Sequence, residues 1–236
     1  MDNVNLMDRV DTKYIFNIQL LPFYLNLIKA NYRVLEINNY RMVNYQSLYF
    51  DTQDFQLYQQ HHCGKINRYK IRSRKYVESD LNFFEIKLKS NKGRTIKNRI
   101  NYQQTDEVIK DKAQEFLENK TSLTAANYSS VMWINYTRIT LANRFSAERV
   151  TIDTNLHFKT KDAEKKIYNL VIAEVKQEKS MQSAFVLLMK DNHIREGFMS
   201  KYCFGISSLV EGIRKNNFKQ QLIQFNKLQQ HAITNH

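Results

Sequence analysis

Four basic residues alternate with apolar or small residues along INRYKIRSRKY, residues 66–76. Successive side chains of a β-strand point to opposite faces, so this spacing predicts a strand with one wholly basic face. The cations of that face are Arg68, Lys70, Arg72 and Arg74. Because like charges on one face repel each other, a stable fold needs carboxylates or a bound anion beside them.

The same alternation recurs in later segments of the chain. The turn sequence SNKG joins segments 82–90 and 94–102 in a predicted hairpin, and strand patterns return at 132–142, 148–158 and 169–178. The charged faces of these strands carry Glu85, Lys87, Lys89, Lys97, Arg99, Arg138, Arg149, Asp153, Glu174 and Lys176. Cations dominate these faces, and apolar residues dominate the opposite ones.

Two arrangements explain strands of this kind. The ordinary one is a half-buried antiparallel sheet with a solvated charged face, but solvated faces usually intersperse the two signs of charge. The apolar faces could instead be covered by helices, which the periodicity predicts at 19–30, 105–120, 180–192 and 208–231. A sheet that is covered outside and charged inside closes into a barrel with a basic lumen. We therefore expect an α+β, β-rich fold: an antiparallel barrel with helices packed outside.

The composition agrees with an anionic ligand. Thirty-six Lys and Arg residues stand against 23 Asp and Glu residues, which gives a formal net charge of +13. One proline and five glycines leave no linker, so we expect a single domain over residues 1–236, with a barrel core at about 9–206 and a C-terminal helix at about 208–231. The sequence contains no signal peptide and no apolar span, so we expect a cytoplasmic protein that does not insert into a membrane.

Carboxylates among the cations are candidate metal ligands. Arg binds phosphate through a bidentate fork and Lys through a point charge, whereas a hard divalent cation prefers oxygen ligands. Glu174 is the principal candidate, with Glu85 and Asp153 as further ones. Each of the three has an alternative role as the salt-bridge partner of a neighbouring Lys or Arg.

A series of motifs occurs in the order known from one family: DRVDTKYIF, YKIRSR, FEIKLK with TIKNRI, YTR, ERVTIDTNL, IAEVK and SKYCFG. Over about residues 9–206 the chain resembles the VTC domain, the polyphosphate polymerase domain of the vacuolar transporter chaperone complex and its bacterial relatives. The resemblance implies the CYTH-like triphosphate tunnel fold, an eight-stranded antiparallel barrel that is closed around its basic lumen. It also implies binding of ATP or another nucleoside triphosphate and of inorganic polyphosphate, with Mn²⁺ or Mg²⁺.

The first strand departs from the wider tunnel superfamily, which begins with an ExExK strand. Here the strand reads Arg9-x-Asp11-x-Lys13, with a cation in place of the first glutamate. This difference favours the polymerase branch and fewer metal ligands. Because no phosphate-sensing SPX domain or membrane anchor is recognisable, we expect a stand-alone bacterial member.

The resemblance and the strand faces together assign candidate roles. Lys87, Arg138 and Arg149 are expected to be catalytic, and Glu174 is expected to hold the metal ion. The expected phosphate-binding residues are Lys13, Lys70, Arg72, Arg74, Lys89, Lys97, Arg99, Lys176 and Lys201.

The predicted reaction is transfer of the γ-phosphoryl group of ATP to a growing inorganic polyphosphate chain. Two alternatives stay open: hydrolysis of inorganic or nucleoside triphosphate by the same fold, and binding of polyphosphate without catalysis. Nucleic acid is not an expected partner, because the aromatic residues fall largely on apolar faces, where they would pack in a core. A membrane-protein partner that receives the product is possible, and the oligomeric state is left open.

Overall fold

The computed structural model describes residues 9–104, 106–178, 182–197 and 200–230. These residues form ten strands and six α-helices. The elements follow one another as β1 Arg9–Asn17, α1 Leu21–Ile28, β2 Tyr32–Val34, β3 Met42–Asp51, α2 Gln56–His62, β4 Arg68–Tyr76, β5 Leu81–Lys89, β6 Thr95–Asn101, α3 Asp111–Lys120, β7 Ser129–Asn143, β8 Arg149–Lys159, β9 Glu164–Ile167, β10 Leu170–Glu178, α4 Ala184–Asp191, α5 Lys201–Leu209 and α6 Lys219–Gln230.

All ten strands belong to one antiparallel sheet, which confirms the expected β-rich α+β class. Eight of them are hydrogen-bonded in the order β1-β10-β8-β7-β3-β4-β5-β6, while β2 pairs with β7 and β9 pairs with β8. Strands β1 and β6 lie at the two ends of this order, and no pairing joins them within the described residues. The expected closed barrel is therefore not confirmed, because backbone hydrogen bonds do not close the sheet.

Helices cover the outer face of the sheet, as expected from its apolar alternation. Residues of α1 and α4 pack on the alternate apolar residues of β1, β8 and β10, among them Val150, Ile152 and Val175. Leu117 of α3 packs on Ile71 and similar residues of β3, β4 and β5. This burial of one strand face fixes which side chains point inward, because a strand has only two faces.

The inner face is apolar at one end, where α5 and α6 pack against it. Tyr202 of α5 stacks on Tyr49 of β3 with ring centroids 5.0 Å apart, and Phe204 contacts Phe158 of β8 at 5.3 Å. Gly205 permits this approach, because a Cβ atom there would lie 2.8 Å from the ring of Phe158. The interior of the curved sheet is thus filled at this end.

A buried carboxylate fixes the position of α5. Asp51 accepts hydrogen bonds from the backbone N–H groups of Leu57 and Tyr58 at 2.8 and 2.9 Å, which places it at the start of α2. It also accepts the hydroxyl group of Tyr202 at 2.5 Å. One side chain therefore ties β3, α2 and α5 together, and the start of α5 is held beside the inner strand faces.

An irregularity in β8 allows this one strand to contribute to both the charged part and the apolar part of the inner face. The register with β7 shifts at this point, and Asn155 has a left-handed φ of 52°. Asp153 and Leu156 consequently face the same side, although alternation alone would place them on opposite sides. The charged and the apolar parts of the interior meet here.

Several predicted boundaries need correction. Helix α5 lies where no helix was predicted, and the C-terminal helix begins at Lys219 instead of residue 208. Helix α3 begins at Asp111 rather than at residue 105, which lies outside the described residues together with 180–181 and 231. Every helix in the described ranges is too short or too polar to cross a bilayer.

Candidate functional site

The alternation in residues 66–76 produces the predicted basic inner face on β4. Arg72 donates from Nε to Glu85 Oε2 at 2.7 Å and from Nη1 to the hydroxyl of Tyr49 at 2.9 Å. Arg74 donates from Nε to Ser47 Oγ at 3.1 Å. Both guanidinium side chains are buried, so the face is directed inward and not toward solvent.

Two cations of the inner face share the carboxylate of Asp153, and we call these three residues the Asp153 cluster. Arg138 binds Asp153 with two hydrogen bonds of 2.6 and 2.8 Å, and Lys201 of α5 forms an ion pair with the same carboxylate. Although burial opposes ionisation, the two cations hold the pKa of Asp153 well below its usual range. The carboxylate is therefore ionised, and its charge is neutralised by strand β7 and helix α5.

Glu85 forms a second neutralised group on β4, β5 and β6. Its carboxylate is fully buried and pairs with Arg72 and Lys97. These cations and Arg74 lower the pKa of Glu85 below its ordinary range against the effect of burial. Both Asp153 and Glu85 therefore have the salt-bridge role that was the alternative to metal binding.

Lys87 lies between charges of its own sign. No described residue forms a hydrogen bond or an ion pair with its side chain. The neighbouring charge of Arg72 and the burial of the side chain are the main causes that lower the pKa of Lys87 to about 6. Arg74 and Lys176 also lower it, whereas Glu85 opposes the shift. Since Lys176 is on β10, the inner faces of β5 and β10 face each other across the interior. The site thus concentrates positive charge that its carboxylates do not balance.

Glu174 lies on the opposite side of the interior, next to Lys13 in the β1–β10 register. Burial raises its pKa, but Lys13, Lys176 and Lys201 lower it to about 2 overall. Lys176 Nζ lies 3.1 Å from Glu174 Oε1 and 3.2 Å from Asp11 Oδ2. Glu174 is consequently ionised and available to an additional cation through oxygen atoms.

The residues beside Glu174 fit a divalent ion only in part. Thr151 pairs with Glu174 in the β8–β10 register, and its buried Oγ1 has no hydrogen-bond partner among the described residues. The described residues contain no group of three His, Cys, Asp or Glu side chains that could hold a metal ion. One carboxylate and one hydroxyl would therefore need phosphate oxygens or water to complete the coordination shell.

Four other predicted residues form no ion pair with a described carboxylate. Arg149 is exposed at the start of β8 and makes no side-chain hydrogen bond or ion pair with the described part of the chain. Arg99 of β6 lies over the ring of Phe83 at 4.6 Å, and Lys89 donates to the carbonyl of Gly93 in the following turn. Lys70 donates to Ser200 Oγ at 2.7 Å, next to α5.

Neutral residues of the inner face were missed from the sequence. Tyr45, Ser47 and Tyr49 alternate along β3 and contact the cations, and the rings of Tyr45 and Tyr136 lie 4.9 and 5.2 Å from the guanidinium of Arg138. These tyrosines are buried, as expected of aromatic residues, but they lie on the face that also carries the cations. The alternation of residues along β3 could have identified them, because Leu48 and Phe50 lie on the opposite, outer face.

Comparisons with known proteins agree with this geometry. A family model described as the VTC domain matches residues 8–210. None of the curated proteins matches the sequence. A candidate adenylate cyclase from Vibrio parahaemolyticus is similar in structure, with a TM-score of 0.51 and 16% identity over 85% of this chain and 98% of that chain. A candidate adenylyl cyclase from Hippeastrum, described as having a dominant triphosphatase activity, has a TM-score of 0.54 and 11% identity over 86% of this chain and 98% of that chain. At these identities the solved structures indicate a shared fold.

Proposed function

Because the chain belongs to the VTC domain family, we propose that its basic interior binds the triphosphate of ATP and transfers the γ-phosphoryl group to a polyphosphate chain. The terminal phosphate oxygen of the acceptor forms the new P–O bond, and the bond to the β-phosphate breaks to release ADP. The observation that supports this proposal most is Lys87, which has no anionic partner and lies near Arg72 and Arg74. A bound triphosphate would supply the missing negative charge.

Phosphoryl transfer suits a site of this composition. Its transition state spreads negative charge over oxygen atoms, so cations that are fixed in position can supply most of the catalysis. Arg72, Arg74 and Lys87 would hold the triphosphate, with Lys13, Lys70, Lys97 and Lys176 around it. Arg138 and Lys201 would contact it from the Asp153 cluster. The attacking phosphate is already an anion, and no general base is required.

The remaining predicted cations would act where the site opens to solvent. Arg149, Lys89 and Arg99 would attract and guide the anion. Glu174 and the Thr151 hydroxyl would hold Mn²⁺ or Mg²⁺, which neutralises and orients phosphate oxygens when bound. Use of ATP agrees with a cytoplasmic location, which we propose on that ground.

Hydrolysis is the second candidate function, and a specific feature favours it. Helices α5 and α6 fill one end of the interior, so a long polymer would have to leave by another path. Water as the acceptor needs no such path. The structural neighbour from Hippeastrum that is described as a triphosphatase has the same fold.

Product analysis separates these reactions. Purified protein is incubated with ATP and Mn²⁺ or Mg²⁺ while ADP, free phosphate and polyphosphate are followed together. ADP that rises with polymer supports the polymerase, and free phosphate without polymer supports the hydrolase. Triphosphate binding without turnover would instead identify a binding module.

The metal assignment has a separate test. The Glu174→Gln variant should need a higher concentration of Mn²⁺ or Mg²⁺ for half-maximal activity, because one anionic ligand is lost. Glu164→Gln is the matched control, since Glu164 is exposed on β9 and pairs with Lys166. An unchanged metal requirement in Glu174→Gln would place the ligand elsewhere.

A further inference from the structure

The basic inner face continues beyond the interior along the β5–β6 hairpin. In the strand register, Lys70, Lys87 and Lys97 form one row across β4, β5 and β6. The next row toward the hairpin turn, two residues further along each strand, contains Arg68, Lys89 and Thr95. Because alternate residues share a face, both rows belong to the same surface.

Further cations surround the turn. Lys92 and Arg94 are exposed there, and the backbone N–H of Asn91 donates to Asn67 Oδ1 at 2.9 Å, which holds the turn beside the segment before β4. We use the name hairpin surface for Lys65, Arg68, Lys89, Lys92 and Arg94. It is a basic extension of the candidate site that leads outward.

The hairpin surface lacks the carboxylates that neutralise cations elsewhere. Some exposed cations in other parts of the molecule pair with acids, as Lys75 does with Asp80 at 2.7 Å and Arg41 with Glu36 at 2.6 Å. No described carboxylate forms an ion pair with any residue of the hairpin surface. The sequence between Glu85 and Asp106 contains no acidic residue at all. This charge is thus available to a mobile or external anion.

We propose that the hairpin surface binds the part of a polyphosphate chain that extends beyond the phosphates held in the interior. The inference rests on the proposed function and adds a second binding region to the same site. A linear polyanion fits because the cations continue in successive rows from buried Arg72 through partly buried Lys87 to exposed Lys92 and Arg94.

Chain-length dependence of binding tests this inference. The affinities of the whole protein for inorganic tripolyphosphate and for long-chain polyphosphate are measured by calorimetry at several salt concentrations. The wild type should bind the long chain about tenfold more tightly or better, since the exposed cations of the hairpin surface would add contacts that tripolyphosphate does not reach. The gain should decrease as salt rises, because exposed charges are screened.

The Lys92→Ala/Arg94→Ala variant should lose about fivefold in affinity for the long chain, as expected for two exposed contacts. Its affinity for tripolyphosphate should stay within about twofold of the wild type, because neither residue lies in the interior. The control is Lys159→Ala/Lys161→Ala, which removes two exposed cations from the β8–β9 hairpin and should change neither affinity. Circular dichroism checks that each variant is folded.

Three results would overturn the inference while leaving triphosphate binding intact. The first is a long chain that binds no tighter than tripolyphosphate, and the second is an equal loss of long-chain affinity in the β8–β9 control variant. The third is single-stranded RNA of equal charge that competes equally well. Absence of tripolyphosphate binding is a different result, because it would remove the proposed function itself.

Discussion

The Asp153 cluster and the surroundings of Lys87 differ in whether a cation of the basic interior has a carboxylate partner. In the Asp153 cluster, Arg138 and Lys201 share an ionised carboxylate that is only 2% exposed. Around Lys87, Arg72 and burial of the side chain lower its pKa to about 6, and the carboxylate that opposes this shift, Glu85, already pairs with Arg72 and Lys97. The cations of the Asp153 cluster have a carboxylate partner within the protein, and Lys87 has none among the described residues.

This difference distinguishes cations that also maintain the fold from a cation whose charge is balanced only when a ligand is bound. A buried ion pair that loses one partner leaves an uncompensated charge, which makes each member necessary for stability. An unpaired cation among cations lowers the stability of the empty protein, and such a residue is a candidate for function. Substitutions in the Asp153 cluster and at Lys87 should therefore have different consequences.

The largest effect on stability is expected for Asp153→Ala. Removal of the carboxylate leaves Arg138 and Lys201 without their shared anion, and we expect a loss of about 3–5 kcal/mol in the free energy of unfolding. Urea denaturation measures it. In the wild type this contribution should be present above the pKa of an unfolded aspartate, about 4, and be lost as the pH falls below it. A loss similar to that of an exposed aspartate, such as Asp162→Ala, would show that the cluster does not stabilise the fold.

The opposite result is expected for Lys87→Met. Loss of a cation that contacts the transferred phosphate should lower turnover about 100-fold, as removal of one transition-state donor does in other enzymes. The pKa of Lys87 is depressed in the folded state, so the unfolded state binds more protons and folding is disfavoured at pH values below the pKa of an unfolded lysine, about 10.4. The melting temperature should therefore rise by about 2–4 °C, which corresponds to about 1 kcal/mol. Full activity, or a clear fall in melting temperature, would contradict the distinction between Lys87 and the Asp153 cluster.

Arg149→Ala should have the smallest effect. Arg149 is unpaired like Lys87, but it is exposed at the start of β8. Solvent and salt screen its charge, so we expect KM to rise by about tenfold or less and the stability to change by less than about 0.5 kcal/mol. Steady-state kinetics at low and high salt measures the effect. A loss of turnover as large as that of Lys87→Met would place Arg149 among the residues that contact the reacting phosphate.

The sequence predicted the strands with strong alternation better than the parts that depend on distant contacts. The alternation of basic with apolar residues identified β4 and its inward cations Arg72 and Arg74, because one strand face must be buried. It could not show whether β1 pairs with β6, since that depends on curvature accumulated over the whole sheet. Helix α5 was missed because its residues are mostly buried and give no amphipathic pattern; it is held by Asp51, far away in sequence.

The site residues show the same limit. Alternation along a strand identifies the cations that share one face, but it does not show which of them can form an ion pair with a carboxylate. Arg138 and Lys87 look equivalent in the sequence, yet only Arg138 meets Asp153, because β7 pairs with β8 in that register. The expectation that aromatic residues lie largely on apolar faces did not show that Tyr45 and Tyr49 contact cations, because aromatic residues favour both cores and strands.

The central claim, that a triphosphate binds beside the unpaired Lys87, is tested most directly by calorimetry of tripolyphosphate binding. At about pH 7.5 the side chain is mostly neutral in the free protein, and a bound polyanion would favour its protonated form. We predict proton uptake, visible as a binding enthalpy that differs between buffers of different ionisation enthalpy, and a smaller uptake in Lys87→Met. Absence of binding, or equal proton uptake in Lys87→Met and the wild type, would contradict the account.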